Sequence, residues 1–388
     1  MNKIFLKDRV NFQYGFSVRV NNEQFGQYPV FGSNGITGYI DSYKVKGPGV
    51  IIGRKGSVGA VKFSKDNFTP TDTAYYLSIK DDAKDDIKFW YYYLQLLGLE
   101  KLNTHSSVPG LSREIAYFIR VDPPSLYAQQ KITAVISALD AKIEVNQRIN
   151  TELEQVAKTL YDYWFVQFDF PNEKGKPYKS SGGKMIWNEK QGKVIPEGWD
   201  VKPLGKALKT NLGGTPSTKT PEYWQNATIA WLNSGDLTEF PIIKSSSFVT
   251  QKGVDNSATT ILPKGSVVIS LVRYIRPSII AMEACANQSV VGIRETEELK
   301  NTFIYPYLVN EVPRLMSLRT GAQQPHINKE IIDGVLLYIP PQNILSEYYK
   351  VSEPIYKKII NLAFESQTLA ELRNWLLPML MNGQVRVG

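Results

Sequence analysis

The stretch Val108-Pro109-Gly110-Leu111-Ser112-Arg113-Glu114-Ile115 returns later in the chain as Gln324-Pro325-His326-Ile327-Asn328-Lys329-Glu330-Ile331. The two stretches lie 216 positions apart (325 − 109), and the same offset carries Leu160 onto Leu376. Identity is low, but residue class and order persist through a turn, a strand and a long helix. Because a solenoid needs about three repeats, two copies indicate a pseudo-dimer, with two similar heads in one chain. Such a chain suits a target that also comes in two halves.

A long heptad pattern follows the first copy. From Ser125 to about Trp164 there is neither glycine nor proline, and apolar positions are spaced alternately four and three residues apart, which is typical of a coiled coil. Forty helical residues would be about 60 Å long. The second copy keeps the period, although Pro354 should weaken its helix near the start. Polar Asn150 and Ser366 occupy matching places, where an asparagine lowers stability but fixes register.

A helix of this length needs a partner for its apolar stripe, and we expect the two copies to pack on each other. Two imperfect surface helices are the alternative. The predicted seam consists of Ile132, Ile136, Leu139, Ile143, Asn150, Leu153, Leu160, Ile355, Ile359, Leu362, Leu369 and Leu376.

Composition sets broad limits. A chain of 388 residues is long enough for two or three domains. The 45 Lys and Arg exceed the 37 Asp and Glu by 8, which is compatible with a polyanionic partner, nucleic acid before membrane. A single cysteine, Cys285, excludes an internal disulfide framework and fits a reducing cytoplasm. We expect no signal peptide and no membrane span, because neither an apolar leader nor a run of about 18 apolar residues occurs.

The rest of each head is predicted as short strands and turns. Val50-Ile51-Ile52 is a candidate buried strand closed by Gly53, and Lys264-Gly265-Ser266-Val267-Val268-Ile269 mirrors it in the second head. Between the heads, residues 171–198 are rich in glycine, lysine and proline and are predicted to form an exposed connector.

Candidate catalytic patterns are weak. Neither His105 nor His326 lies in a metal-binding pattern, and Cys285 is better explained as a buried structural thiol than as a nucleophile. The glycine-rich residues 53–59 resemble a phosphate-cradling loop but lack the Gly-Lys-Ser/Thr ending. They are predicted either to contact a phosphate through the backbone or to form a plain turn.

The tetrapeptide Asp122-Pro123-Pro124-Ser125 resembles the Asp/Asn-Pro-Pro-aromatic motif of DNA amino-methyltransferases. Here the fourth residue is serine, and the second copy, Ile339-Pro340-Pro341-Gln342, lacks the acid. The prolines are therefore better explained as the end of a strand before the long helix, with Ser125 or Asp122 near the cap. No acid–base pair or triad stands out, so the chain is interpreted as a binding protein.

Several ordered blocks of sequence carry a family resemblance. The chain resembles the specificity subunit of type I restriction-modification systems over essentially its whole length. Each block is modest by itself, but the ordered set is specific. The blocks are Leu160-Tyr161-Asp162-Tyr163-Trp164-Phe165-Val166-Gln167-Phe168-Asp169-Phe170, Pro196-Glu197-Gly198-Trp199, Gly213-Gly214-Thr215-Pro216-Ser217, Trp231-Leu232-Asn233-Ser234-Gly235-Asp236-Leu237 and Leu372-Arg373-Asn374-Trp375-Leu376-Leu377-Pro378-Met379-Leu380.

The resemblance implies an α+β architecture with pseudo-two-fold symmetry. Two similar α/β target-recognition domains (1–124 and 197–340) would be separated by two long antiparallel helices (125–170 and 341–388) that form a coiled-coil spacer, with a connector over 171–196. Each domain would hold one half of a bipartite site in double-stranded DNA. Two methyltransferase subunits would dock on the chain, and restriction subunits would join them in the prokaryotic cytoplasm.

The same resemblance implies that the chain is not an enzyme. It would bind no cofactor itself, because S-adenosylmethionine would belong to the methyltransferase subunits and ATP to the restriction subunits. Two alternatives are a self-contained methyltransferase or nuclease, and a coiled-coil scaffold for proteins without DNA specificity. If the helices set the spacer, inserting one heptad after Asn146 should lengthen the unread part of the recognised site by roughly three base pairs.

Candidate DNA contacts are polar or basic residues at predicted turns and strand ends, where loops can reach a groove. Arg273 and Arg276 flank Tyr274 in a cluster that could hold phosphate or stack on a base. The candidates are Ser33, Asn34, Arg54, Lys55, Ser57 and Arg113 in the first head, and Thr215, Ser217, Arg273, Arg276, Gln323, Gln324, His326 and Lys329 in the second.

Overall fold

A computed structural model describes residues 3–18, 26–102, 110–189 and 192–387. His105 and the start of the first repeat stretch, residues 108–109, lie outside these ranges. The chain divides into two compact units, of which the first contains Met1–Ile143 with Thr368–Gly388 and the second contains Glu144–Gln367.

The first unit contains a four-stranded antiparallel sheet, a three-stranded sheet and a two-stranded ladder. Their strand orders are β2-β8-β5-β6, β4-β3-β7 and β1-β9, and β3 runs parallel to β7. The elements are β1 (Ile4–Phe5), β2 (Val10–Tyr14), β3 (Tyr28–Gly32), β4 (Gly35–Ile40), β5 (Gly49–Gly53), β6 (Val61–Ser64), β7 (Thr69–Pro70), β8 (Ala74–Ile79), α1 (Ile87–Gln95), α2 (Arg113–Tyr117), β9 (Arg120–Val121) and the first part of α3 (Leu126–Tyr161). All five residues of β5 are buried, as its apolar sequence predicts.

The second unit begins with the end of α3, which continues into one π-helical stretch, Asp162–Val166. Its further elements are β10 (Met185–Asn188), β11 (Lys193–Pro196), β12 (Asp200–Pro203), α4 (Leu204–Ala207), β13 (Thr210–Leu212), β14 (Ile229–Leu232), β15 (Phe248–Val249), α5 (Gln251–Asp255), β16 (Val267–Ser270), β17 (Pro277–Ile279), β18 (Ala284–Ala286), β19 (Val290–Ile293), α6 (Asn301–Ser317), α7 (Lys329–Asp333), β20 (Leu336–Ile339) and the first part of α8 (Gln342–Met381).

The topology of the first head is repeated in the second. The orders β13-β19-β16-β17, β15-β14-β18 and β12-β20 correspond to the three assemblies of the first unit, and β14 again runs parallel to β18. Helices α2 and α7 begin 216 residues apart (329 − 113), and each has a side-chain cap. The Ser112 hydroxyl accepts the Ile115 amide at 3.4 Å, and the Asn328 side chain accepts the Ile331 amide at 3.1 Å. The predicted α+β fold with a duplicated head is confirmed.

The two long helices pack antiparallel within each unit. In the first unit, Nη1 of Arg373 near the end of α8 lies 2.8 Å from the Asp140 carboxylate on α3. In the second unit, Nδ2 of Asn150 donates to the Ile359 carbonyl at 3.2 Å. Helix α8 passes through Pro354 without interruption, and Pro354 is exposed. None of the twelve predicted seam residues is exposed.

The double proline precedes α3, as predicted. It lies between the end of β9 and the first residue of the helix, and the Ser125 hydroxyl accepts the Ala128 amide at 3.4 Å. Because proline disfavours helix in the residue before it and lacks an amide proton, this sequence ends the strand and allows the helix to begin. The interpretation as a strand end and helix cap is confirmed.

The prediction of a plain exposed connector after Pro171 is only partly correct. Most of its side chains are exposed, but β10 and β11 form a hairpin in which Ile195 is completely buried. The Asp169 carboxylate accepts the Ser180 amide at 2.7 Å and the Ser180 hydroxyl at 2.6 Å. Apolar anchors hidden among glycines and lysines therefore order a stretch whose average composition is that of a linker.

Asn146 provides a test of the helix pair. It is fully buried in the second unit, and its amide nitrogen and oxygen have no hydrogen-bond partner. Asn146→Leu should stabilise this unit by about 1–3 kcal/mol, because the desolvation cost of an unsatisfied amide is removed. Chemical denaturation with hydrogen exchange along α3 would measure the change. Asn150→Leu is the matched control and should gain less stability, because it loses the hydrogen bond to the Ile359 carbonyl. A loss of stability in Asn146→Leu would show that the buried Asn146 amide does not destabilise the unit.

Candidate nucleic-acid interface

The β5–β6 turn of the first head, residues 54–60, is held by backbone hydrogen bonds, both within the hairpin and to the segment before β8. The amides of Arg54 and Lys55 both donate to the Thr73 carbonyl, at 2.9 and 3.1 Å, and the Gly59 amide donates to Gly53 at 2.8 Å. These amides point inward and are not available to an anion. The backbone therefore favours a plain turn over a phosphate-cradling loop, and any contact with phosphate would be made by side chains.

Two arginines of the first head share one tyrosine. The guanidinium carbons of Arg54 and Arg113 lie 4.8 and 4.7 Å from the centre of the Tyr14 ring, which is 48% exposed. Arg54 also donates to the Asp72 carbonyl at 3.1 Å, and Arg113 lies 3.0 Å from the Glu114 carboxylate. Contact with an aromatic face holds a guanidinium in place while its donors stay at the surface. Tyr14, which the sequence analysis missed, therefore organises this cluster.

Tyr75 forms the buried base of the same cluster. Its ring centre lies 5.2 Å from that of Tyr14, and its hydroxyl donates to the Leu111 carbonyl at 3.1 Å. Burial is the main cause that raises the pKa of the Tyr75 hydroxyl, and the neighbouring Tyr14 raises it further. The positive charge of Arg54 opposes this shift. The hydroxyl stays protonated at neutral pH and ties the segment before α2 to the sheet.

The remaining candidates of the first head lie beside this cluster. Ser33 and Asn34 form the turn between β3 and β4, and a Cβ atom at Gly53 would lie 2.8 Å from the Ser33 carbonyl and 2.0 Å from that of Ser57. Lys55 pairs with Gly110, which precedes α2. The structure thus gathers all six candidates of the first head along one edge, and glycine at position 53 permits the close approach of the two turns.

The second head places the β16–β17 turn, residues 271–276, at the corresponding position. Tyr274 is 61% exposed, and the guanidinium carbon of Arg276 lies 5.0 Å from the centre of its ring. Arg273 has a φ of +57°, and its amide donates to the Pro325 carbonyl at 2.8 Å. The tyrosine is supplied by the turn in this head and by β2 in the first.

A second segment of this head closes on the turn. Thr320 and His326 exchange two backbone hydrogen bonds, both of 2.9 Å, so that exposed Gln323 and Gln324 lie at the tip of a loop. Arg319 donates to the Arg273 carbonyl. Arg319 was not among the sequence candidates, although its place directly before this loop, at the end of a helix, was a usable signal.

The other candidates of the second head differ in placement. Thr215 donates to Gln288, and the adjoining Ser289 carbonyl accepts the Leu271 amide at 2.8 Å, so Thr215 borders the turn. Ser217 lies further along, where its carbonyl accepts the Trp224 indole at 3.1 Å. Lys329, the counterpart of Arg113, is paired with Asp333 on its own helix.

Metal-ligating clusters, the single thiol and the helices each bear on the sequence-based expectations for the described ranges. There, no cluster of three or more His, Cys, Asp and Glu side chains could hold a metal ion. Cys285 is completely buried, and burial raises the pKa of its thiol to about 11. The helices of the described ranges include none that is long and apolar enough to span a membrane.

Comparison with known proteins agrees with this duplicated architecture. The sequence pattern of the type I restriction modification DNA specificity domain matches residues 2–155 and again 196–372. The chain therefore belongs to the type I restriction-modification specificity family, and the resemblance drawn from its sequence blocks is confirmed.

Two curated relatives and one solved structure illustrate the similarity. The MjaIX specificity subunit of Methanocaldococcus jannaschii is 25% identical over 345 residues, 87% of this chain and 78% of that protein. The HindI specificity subunit of Haemophilus influenzae is 24% identical over 344 residues, 73% of this chain and 71% of that protein. The crystal structure of an S subunit from M. genitalium has a TM-score of 0.65 at 16% identity and covers 98% of this chain and 95% of its own, which supports the fold.

Proposed function

We propose that this chain is the sequence-specific DNA-binding subunit of a type I restriction-modification complex, and that each head binds one half of a bipartite site. The observation that carries the proposal is the duplicated β-hairpin turn. Beside this turn each head has an exposed tyrosine with arginine held against it. In the first head Arg54 and Arg113 lie on Tyr14 of β2, and in the second Arg276 lies on Tyr274 of the turn itself. Two heads of one topology with different surface chemistry are suited to two different half-sites.

Side-chain chemistry supports a division of labour within each head. Lys55, Arg54 and Arg113 would neutralise phosphates and fix the register of the head on the duplex. Asn34, Gln323 and Gln324 carry amides that can pair with adenine in the major groove. Their positions at exposed turns suit direct reading of base edges.

The catalytic work is assigned to partners. In this proposal the long helices dock two methyltransferase subunits, restriction subunits join the complex, and the chain itself is non-catalytic. S-adenosylmethionine would be bound by the methyltransferase subunits and ATP by the restriction subunits, in the cytoplasm of a prokaryote. Membership of the specificity family supports this assignment.

A genome-wide methylation map of the host, with and without the gene, tests the proposal. We expect methylated adenine to disappear at one two-part motif with a fixed unread spacer when the gene is deleted. An unchanged map in a host whose methyltransferase subunit is expressed would count against the proposal. It would favour the scaffold alternative, which also predicts no DNA affinity that falls steeply with salt.

The spacer role gives a geometric prediction. Insertion of seven residues after Asn146, together with seven after Leu362 on the antiparallel helix, keeps Asn150 opposite Ile359. The added length of about 10 Å corresponds to roughly three base pairs. We expect the methylation map to show the same half-sites with a spacer longer by about three.

Two control insertions isolate the helices. Seven residues added at Gly175, in an exposed turn, should leave the spacer unchanged. The antiparallel pairing revises the expectation drawn from the sequence, that a heptad after Asn146 alone would lengthen the spacer. A one-sided insertion would break the register that joins Asn150 to Ile359 and should abolish methylation. An active paired variant with the original spacer would contradict the role of the helices in setting it.

A further inference from the structure

A cavity of about 660 Å³ lies in the first unit, and none of the candidate DNA contacts is among its described lining residues. It is bounded by β9, the first turns of α3, and the segment that follows α8. Its walls are part apolar, with Ile132, Leu380 and Val385 among the lining residues. Its size is within the range of ligand-binding pockets.

The second unit shows how the corresponding space is used when it is filled. Strands β1 and β9 pair Phe5 with Arg120, and β12 and β20 pair Pro203 with Leu336 at the equivalent register. In the second unit, residues after α3 pack their rings on Trp199, the residue directly before β12. Phe168 and Phe170 lie with ring centres 5.3 and 5.7 Å from that of Trp199.

The chain that leaves α8 lacks these rings. The first residue with positive φ after each long helix is Phe168, at +64°, or Gly383, at +69°. These two residues lie 215 positions apart (383 − 168), one fewer than the repeat offset. Counted from these residues, Phe168 corresponds to Gly383 and Phe170 to Val385. The two aromatic side chains that fill the second unit are thus replaced by a hydrogen atom and a small side chain that is 38% exposed.

The charge of the cavity is also distinctive. Among its described lining residues, Lys3, Arg120, Lys131 and Arg386 carry positive charge, whereas Asp122 is the single carboxylate. In the second unit, the segment that fills the space carries Asp169 between its two phenylalanines. A positively charged wall around an apolar floor is complementary to an acidic chain with aromatic side chains.

We propose that this cavity binds an acidic peptide segment with aromatic side chains, contributed by a partner protein, in the way that residues 168–170 fill the second unit. That the partner is a methyltransferase subunit rests on the proposed function. The segment would insert its rings over Val385 and Leu380 and place its carboxylates against Arg120 and Arg386. The two units would then be completed differently, one by its own chain and one by a neighbour.

A fluorescently labelled peptide with the sequence of residues 161–173 is the probe, because it holds the filling segment and three carboxylates, Asp162, Asp169 and Glu173. Binding to the full chain is followed by fluorescence anisotropy. We expect saturable binding that weakens with salt. A control peptide with alanine at its three phenylalanine positions should bind at least tenfold more weakly.

Variants of the full chain locate the binding site. Arg386→Glu, at an exposed position, and Ala128→Trp, which fills the cavity, should each weaken peptide binding at least tenfold. Lys46→Glu changes an exposed lysine that does not line the cavity and should leave binding unchanged. Ala128→Trp should also reduce co-purification with a co-expressed methyltransferase subunit.

The outcomes separate this inference from the proposed function. No peptide binding by the wild-type chain, or equal binding by wild type, Arg386→Glu and Ala128→Trp, would overturn the cavity assignment. If the methylation map nevertheless shows a bipartite motif, the DNA-binding role stands without it. Loss of the bipartite motif from the map while peptide binding stays intact would contradict the proposed function and leave the cavity assignment in place.

Discussion

Replacing Arg54 and Arg113 together with alanine is expected to weaken binding of the assembled complex to its DNA site by about 2–6 kcal/mol, since each arginine contact contributes about 1–3 kcal/mol. Both guanidinium groups rest on the Tyr14 ring, which limits the conformational freedom lost on binding. The Glu114 carboxylate beside Arg113 reduces its share of the effect. Titration of labelled duplex at several salt concentrations measures the change.

The salt dependence distinguishes the kinds of contact. If the two arginines hold phosphates, the loss should be similar for all sequences and the salt slope should fall by about one per contact. If they read bases, the variant should accept substitutions at one or two positions of the first half-site, and those of the second should stay fixed. Relaxation in the second half-site would contradict the assignment of these residues to the first head.

A matched control removes the same charge elsewhere in the first unit. Lys7 precedes β2, whereas Tyr14 ends that strand, and Lys88 lies in the first turn of α1. Lys7→Ala with Lys88→Ala should change affinity little beyond the general effect of net charge. Equal losses in both double variants would mean that the head attracts DNA only through its overall charge.

The duplicated plan of the fold was predictable from the sequence, because the repeat offset and the heptad period remain visible even where the residues themselves differ between the copies. The caps at Ser112 and Asn328, the buried strand β5 and the start of α3 all follow from local rules that act within a few residues. The extra order after Pro171 was not predictable in the same way. It depends on the burial of Ile195 and Trp199 in a core made by distant residues.

The candidate interface was predictable in part. Polar residues at turns could be chosen from sequence, but the role of Tyr14 could not, because β2 and the β5–β6 turn are brought together by β8 between them. Whether Lys329 faces a ligand or its own helix depends on Asp333, one turn further on. The first of these pairings depends on tertiary structure and the second on side-chain conformation. A pattern of residue classes along the sequence specifies neither.

The junction between the first head and α3 gives the prediction with the largest expected effect on stability. Asp85, whose side chain is fully buried, accepts from Nε and Nη2 of Arg9 at 2.7 and 3.0 Å and from the Trp90 indole at 3.0 Å. Gln129 on α3 is buried beside it and donates to Asp85 at 3.3 Å and to the Pro124 carbonyl at 2.9 Å. One carboxylate thus ties the head to the beginning of the long helix.

Arg9→Met should destabilise the first unit by about 3–5 kcal/mol, because it leaves a buried carboxylate without its cation. Chemical denaturation with hydrogen exchange in α1 and the first turns of α3 would measure the loss. The double variant Arg9→Met with Asp85→Leu should recover most of it, since apolar packing can replace a buried ion pair at little or no cost. A single variant as stable as the wild type would show that this ion pair does not hold the head to the helix.

The counterpart junction in the second unit explains why this effect should stay local. At the repeat offset Asp85 corresponds to Asn301 and Gln129 to Leu345, so neither the carboxylate nor the glutamine of this network is repeated there. There the Tyr348 hydroxyl donates to the Thr302 carbonyl at 3.0 Å within an aromatic core. Hydrogen exchange in α6 should therefore be unchanged by Arg9→Met, and protection lost equally in both units would mean that the heads unfold as one.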